Sequence, residues 1–154
     1  MQVITDEKLY KSIWDKIYQE YLFSTQNEKW LCPETEFDVY RCGTLWDETQ
    51  EAIVNQVFCR ISGEEMYALD WQHDCFIFDP KENIPYGYQY YDLIRGCPVY
   101  FPTYYPDGDY HFFVSKDWAF GLFGHPWRNE LIVTGAALMQ AIAEAADDLD
   151  LKKL

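Results

Sequence analysis

The segment from Tyr100 to Arg128 (YFPTYYPDGDYHFFVSKDWAFGLFGHPWR) constrains the fold more than any other part of this chain, because eleven of its residues are aromatic. Aromatic runs broken by Pro-Asp-Gly, Ser-Lys-Asp and Gly-His-Pro read as antiparallel strands joined by short connections. The segment is therefore expected to form the centre of a sheet that the other elements cover. Strands are predicted at about 109–114, 118–123 and 130–134. Tyr105-Pro106-Asp107-Gly108 suits a type I turn, with Pro106 at its second position and a positive φ or a bulge at Gly108.

The flanking sequence supplies the cover. From Asp6 to Phe23, Leu9, Ile13, Ile17 and Tyr21 form one helical row and Tyr10, Trp14, Tyr18 and Leu22 the next, with Thr5 as the expected N-cap. Residues 24–36 are polar and read as a loop, followed by a short strand near Phe37–Arg41. Asp47 with Gln50 predicts a capping box opening a second helix that stops at Gly63. The period then changes to two over 67–71 and 76–78, giving two strands, or one strand broken near His73 and Asp74. Lys81 to Gly96 is a tyrosine-rich connection, too long for a tight hairpin, and excursions of this length are often functional. Residues 135–149 predict a last helix whose end, carrying Asp147, Asp148 and Asp150, opposes the helix dipole and should fray. The expected fold is α+β: one domain over 1–154, a mainly antiparallel sheet, N-terminal helices and a C-terminal helix packed on it.

Charge narrows the partners. Twelve basic against 26 acidic residues leave a net charge of −14, a field that repels phosphate backbones and attracts basic proteins. No nucleic-acid partner is expected. Carboxylates spread along the chain also lack the linear array that nucleic-acid mimicry needs. Five cysteines (Cys32, Cys42, Cys59, Cys75, Cys97) with no Cys-x-x-Cys pair predict reduced thiols rather than a disulfide framework or a zinc knuckle. The first residues turn charged at once, and no run of eighteen apolar residues occurs, so neither a signal peptide nor a membrane span is predicted. A cytoplasmic protein is the expectation.

Few residues point to chemistry. His73, His111 and His125 lack the local spacing of a metal site, and no cofactor or metal is expected from them. Asp70 and His73, three apart, meet only if the chain turns between them. Cys75, though close to His73, reads as a buried small residue. No Gly-x-Ser-x-Gly, phosphate loop or complete calcium loop is present, and Asp107 and Asp109 around Gly108 are better explained as turn residues. No catalytic residue is assigned.

Two stretches resemble a known family. Tyr67-Ala68-Leu69-Asp70-Trp71-Gln72-His73, and Tyr105-Pro106-Asp107-Gly108-Asp109-Tyr110 followed by Phe120-Gly121-Leu122-Phe123-Gly124-His125-Pro126-Trp127, are similar to the bacterial family domain of unknown function 2716. The resemblance runs from about Glu65 to the end and implies a bacterial, cytosolic, single-domain protein, with no catalytic residue to carry over. A more distant likeness in element order links the chain to small acidic α+β immunity proteins of toxin systems. The leading expectation is thus a non-enzymatic acidic binding protein, immunity-like, with a basic toxin or effector as partner. The alternative is a metal-dependent or His/Asp-based hydrolase built on Asp70, His73, His111 and His125.

A specific surface follows from the hairpin register. A three-residue loop Ser115-Lys116-Asp117, with Asp117 left-handed, pairs Val114 with Trp118 and segregates apolar side chains to one face. His111 then lies opposite Gly121, flanked by Asp109, Phe113 and Phe123, in a notch where Asp109 raises the histidine pKa. Those five residues, with His125, Trp127, Asp70 and His73, form the predicted binding surface.

Overall fold

The computed structural model describes residues 1–26 and 35–154. In chain order these form β1 (Gln2–Val3), α1 (Glu7–Glu20), β2 (Phe37–Cys42), α2 (Glu48–Ile61), β3 (Met66–Asp70), β4 (Phe76–Phe78), a 3-10 turn (Pro80–Glu82), β5 (Gln89–Asp92), β6 (Cys97–Tyr100), β7 (His111–Ser115), β8 (Gly121–His125), β9 (Glu130–Thr134), α3 (Ala136–Ala145) and β10 (Leu151–Lys153). The fold is α+β. Eight strands make one sheet in the order β1-β4-β3-β7-β8-β9-β2-β10, every neighbouring pair antiparallel, while β5 and β6 form a separate two-stranded ribbon.

The central strands β3, β7, β8 and β9 are buried at every residue. Alternate side chains feed two cores. Ala68, Phe113, Leu122 and Val133 pack with Val57, Phe58, Leu138 and Ile142 of α2 and α3. Leu69, Phe112, Val114, Phe123 and Ile132 meet Ile13, Trp14 and Ile17 of α1 on the other face. Burying one such aliphatic or aromatic side chain contributes roughly 1.5–3 kcal/mol, so each face is a full core. The rings of β7 and β8 find cover because a helix layer lies on both sides.

That double cover overturns the predicted register. An amphipathic sheet would favour segregating the apolar groups, but here both faces are apolar and that preference vanishes. His111 pairs with Gly124, Phe112 with Phe123 and Val114 with Gly121, not Val114 with Trp118 or His111 with Gly121. The connection is Lys116–Ala119, closed by Ser115 N–H to Phe120 O at 3.1 Å. Trp118, not Asp117, takes the left-handed position, at φ 60°. Its ring lies 5.8 Å from Tyr21 and 6.3 Å from Tyr67, with the Lys16 ammonium 5.2 Å above it. Docking on α1 and β3 offsets the backbone cost, on the order of 1 kcal/mol or more for a non-glycine residue.

Smaller corrections follow local chemistry. Asp6 rather than Thr5 caps α1, accepting from Leu9 N–H at 2.8 Å. The Asp47–Gln50 capping box is present, and α2 ends at Ile61. Gly108 has φ +77°, but 105–109 turns through bonds from Asp107 N–H to Tyr105 O and Asp109 N–H to Asp107 O, both 2.9 Å, rather than as a type I turn. α3 stops at Ala145, before the three aspartates. The 81–96 connection contains half of the β5–β6 ribbon, and β10 follows the last helix. Among the described residues no helix is long and apolar enough to cross a membrane. Cys42, Cys59, Cys75 and Cys97 are free thiols; Cys32 lies outside the described residues.

Candidate functional site

Four of the nine predicted residues converge where β3 ends. Asp70 closes β3 opposite His111, and Asp109 lies two residues ahead of His111, before β7 begins. After Asp70 the chain turns: Gln72 N–H bonds both Asp70 Oδ1 (3.2 Å) and Asp109 Oδ2 (2.9 Å). This fold-back brings His73 Nδ1 to 3.0 Å from Asp70 Oδ1 and 3.6 Å from Asp109 Oδ2. The turn that lets Asp70 and His73 meet is therefore built by the carboxylates themselves, the side-chain-to-backbone bonding that aspartates favour.

The cluster is buried below and open above. Asp70, Asp109 and His111 are 5%, 7% and 5% exposed, whereas the His73 side chain is 57% exposed. His111 Nδ1 contacts Thr103 O at 2.9 Å, so this nitrogen carries the hydrogen, and its Nε2 lies 3.5 Å from Asp70 Oδ2. Asp109 Oδ1 accepts from Tyr110 N–H at 2.7 Å. Pro106 closes over the neighbouring strand; a Cβ on Gly124 would lie 3.1 Å from it.

Burial pushes Asp70 up, but hydrogen bonds with His111 and Asp109, the His111 charge and the His73 bond outweigh it, holding Asp70 well below the usual carboxylate range. Burial and the shared hydrogen bond with Asp70 push Asp109 up instead. Of the two carboxyls, Asp109 is therefore the one that gives up its proton less readily. The hydrogen bond to Asp70 raises the pKa of His73 against burial, and the charges of Asp70, Asp109 and Asp74 add to the rise. Chemically, the arrangement can exchange a proton at its exposed imidazole or hold a cation among its oxygens and nitrogen.

The other five predicted residues lie elsewhere. Phe113 belongs to the core under α2 and α3, and Phe123 to the core under α1. Gly121 pairs with Val114, where a Cβ would lie 2.8 Å from both the Phe123 ring and Val114. His125 sits on the α1 face, 5.2 Å from the Tyr110 ring, its pKa lowered by burial and then by Arg128. Trp127 is 80% exposed in the β8–β9 turn. The notch of Asp109, His111, Phe113, Gly121 and Phe123 does not exist, because the observed register divides it between two faces.

Two features escaped sequence reasoning. Glu51 of α2 accepts Tyr104 N–H on Oε2 and Tyr105 N–H on Oε1, both at 2.9 Å, strapping down the segment that seals His111. Beside it a cleft of about 450 Å³ runs between the start of α2 and residues 83–87 and 101–104; no cluster residue lines it. The second is the β5–β6 ribbon. Its tip is braced by Arg95, whose Nη1 and Nη2 grip Asp74 at 2.7 and 3.1 Å while Nε holds Asp92 at 2.7 Å. Asp92 Oδ1 also accepts from Ile94 N–H and Arg95 N–H. Leu93 and Ile94 project from this tip 88% and 98% exposed, with Tyr86, Tyr91 and Tyr100 exposed nearby. The tyrosine spacing hinted at this ribbon, but the Arg95–Asp74 fork had no local signal.

The model of a protein family described as protein of unknown function (DUF2716) matches residues 4–139. The chain belongs to this family. The match extends the resemblance through the N-terminal third, including α1 and α2. The chain is also similar to YxiI of Bacillus subtilis (strain 168), described as uncharacterised, with 43% identity over 77 residues. That match spans 50% of this chain and 43% of YxiI, less than half of the relative's length. No solved structure matches the chain.

Proposed function

We propose that this member of the DUF2716 family is a non-enzymatic acidic binding protein that docks a basic protein through the β5–β6 ribbon. The braced tip carries this reading. Two aliphatic side chains stand almost fully in water on a turn that Arg95, Asp74 and Asp92 hold rigid. An exposed apolar anchor is costly to keep unless a partner covers it, and pre-ordering it lowers the entropy lost on binding. The tyrosines beside it supply large contact area with few rotamers to freeze. A net charge of −14 selects a basic partner and speeds the encounter.

The pairing of an acidic protein with a basic toxin or effector, as an immunity protein makes, fits these features. A bacterial cytoplasmic setting agrees with the free thiols of the described cysteines. The competing hydrolase reading loses one of its four residues, since His125 faces α1 while Asp70, His73 and His111 gather near the opposite core.

The test uses the products of the genes flanking this one, purified and titrated by calorimetry. We expect a basic product to bind one to one, more weakly at high salt, and Leu93→Asp with Ile94→Asp to abolish binding without changing the melting temperature. Full binding by that double variant, or binding only by an acidic or neutral product, refutes the proposal.

A further inference from the structure

We propose that Asp70, His73 and Asp109 form a binding site for one divalent transition-metal ion, zinc or manganese. None of these three residues belongs to the β5–β6 ribbon.

The first support is geometric. One ligand atom from each residue can be chosen so that all three lie within 4.8 Å of one another. Two measured edges, His73 Nδ1 to Asp70 Oδ1 at 3.0 Å and to Asp109 Oδ2 at 3.6 Å, frame the hollow. A cation bonded at about 2.1 Å to ligands near tetrahedral or octahedral angles spaces them by about 3.0–3.4 Å, so only small shifts are needed. A surface group of acids would not show this, because its side chains are free to spread. Here both aspartates are buried and fixed.

The second support is how the ligands are held. Asp109 receives Tyr110 N–H on one oxygen and Gln72 N–H on the other, and Asp70 Oδ1 receives Gln72 N–H. Each carboxylate oxygen has two lone pairs, so one backbone bond orients it and leaves a lone pair for a metal. His111 steadies the far side of Asp70, and Thr103 O fixes the ring of His111. Such outer partners are what metal sites use to aim their ligands.

The third is charge. Among the described residues neither Asp70 nor Asp109 pairs with a lysine or arginine; their ion-pair partners are His73 and His111. Two buried carboxylates without a fixed cation are costly, and a divalent ion meets that need directly. One imidazole with two carboxylates suits zinc or manganese better than magnesium or calcium, which favour oxygen-only sets. The exposed His73 ring gives the ion an entry path. Three protein ligands leave at least one position for water or for a group from outside. Asp70 and His73 share one turn and Asp109 joins them from 36 residues beyond His73, so the local sequence does not mark the full set.

The experiment takes the full chain without an affinity tag, strips it with a chelator, and titrates zinc and manganese separately by calorimetry. Cobalt absorption in the visible region reports coordination by the same groups. We expect one ion per chain and a rise in melting temperature on loading. His73→Ala should weaken binding by about 100-fold, the scale on which metal sites lose affinity when a supporting or ligating group is removed, while the metal-free variant keeps its melting temperature. Asp109→Asn should weaken binding similarly, and His125→Ala, on the opposite face, should leave it unchanged. Failure of the folded protein to bind either ion overturns the proposal. So does undiminished binding by His73→Ala, or equal affinity for magnesium or calcium.

Discussion

Replacing Glu51 tests the strap that closes the central strands from above. Its carboxylate is 7% exposed and accepts two backbone N–H groups, Tyr104 and Tyr105, at 2.9 Å each. Hydrogen bonds to a charged acceptor are worth roughly 1.5–3 kcal/mol apiece, and a buried donor left without a partner costs a similar amount. Two losses would sum to about 3–6 kcal/mol, but two effects reduce the figure. Burial pushes the pKa of Glu51 up, so the ionised group already costs something to bury, and water from the adjacent cleft can reach the freed donors. Glu51→Ala should therefore destabilise by about 2–4 kcal/mol, a fall in melting temperature on the order of 10 °C for a chain of this size. Glu51→Gln keeps one acceptor but turns an NH2 toward the second N–H, while removing the buried charge; its loss should be nearer 1 kcal/mol. The pH dependence separates the two effects. A carboxyl raised in the folded state contributes stability below its unfolded pKa of about 4.3, and that contribution is lost as pH rises through the raised value. Glu51→Gln should flatten this part of the stability curve. Denaturant titrations from pH 4 to pH 7, with amide exchange at Tyr104 and Tyr105, make the measurement. An unchanged melting temperature for Glu51→Ala, with those amides still protected, would refute the strap.

Gly108→Val should cost on the order of 1 kcal/mol from its φ of +77° alone, since nothing lies within 4 Å of a Cβ there; thermal denaturation reads it directly. Cys42 and Cys75 are buried, their thiols pushed up to about 12 and about 11, so thiol titration of native protein should find them slow while half-buried Cys59 and Cys97 react first. Glu130 is pushed up by burial but lowered overall by Arg128 and Arg41, at 2.8 and 2.9 Å. Its contribution should be present above about pH 4.3 and vanish as pH falls through the depressed value. Both arginines are partly exposed, so Glu130→Gln should lose only about 1 kcal/mol at neutral pH and converge with the parent protein in acid.

Local patterns carried the elements well. The 3.6-residue rows located α1, the Asp47–Gln50 box located the start of α2, and β9 falls at Glu130–Thr134 as the sequence implied. What failed was information that lives between elements. The β7–β8 register turned on whether one face of the sheet was wet, and residues 111–125 alone do not say that α1 and the α2–α3 pair cover opposite faces. Trp118 adopts a left-handed conformation because of Tyr21 and Tyr67, both distant in sequence. At the site, the Asp70–His73 turn was legible as a possibility. Asp109 joining it through Gln72 N–H depends on β3 lying beside β7, which the local sequence does not encode. Residues 81–96 read as a connection because the stretch is too long for a tight hairpin; the aspartate at 92 builds the ribbon's turn through its side chain.

The strand order has a mechanical consequence. β1 and β10 lie on opposite rims of the sheet, seven inter-strand steps apart, roughly 34 Å if the sheet were flat. A pull through Gln2 and Lys153 therefore runs across the strands, and the ladder bonds open one after another, as in a zipper, instead of resisting together. The rims are the weakest seams, with two residues in β1 and three in β10, while β3, β7, β8 and β9 lie clamped between helices. An unfolding machine that grips either end meets little resistance at first, and then the whole aromatic centre at once.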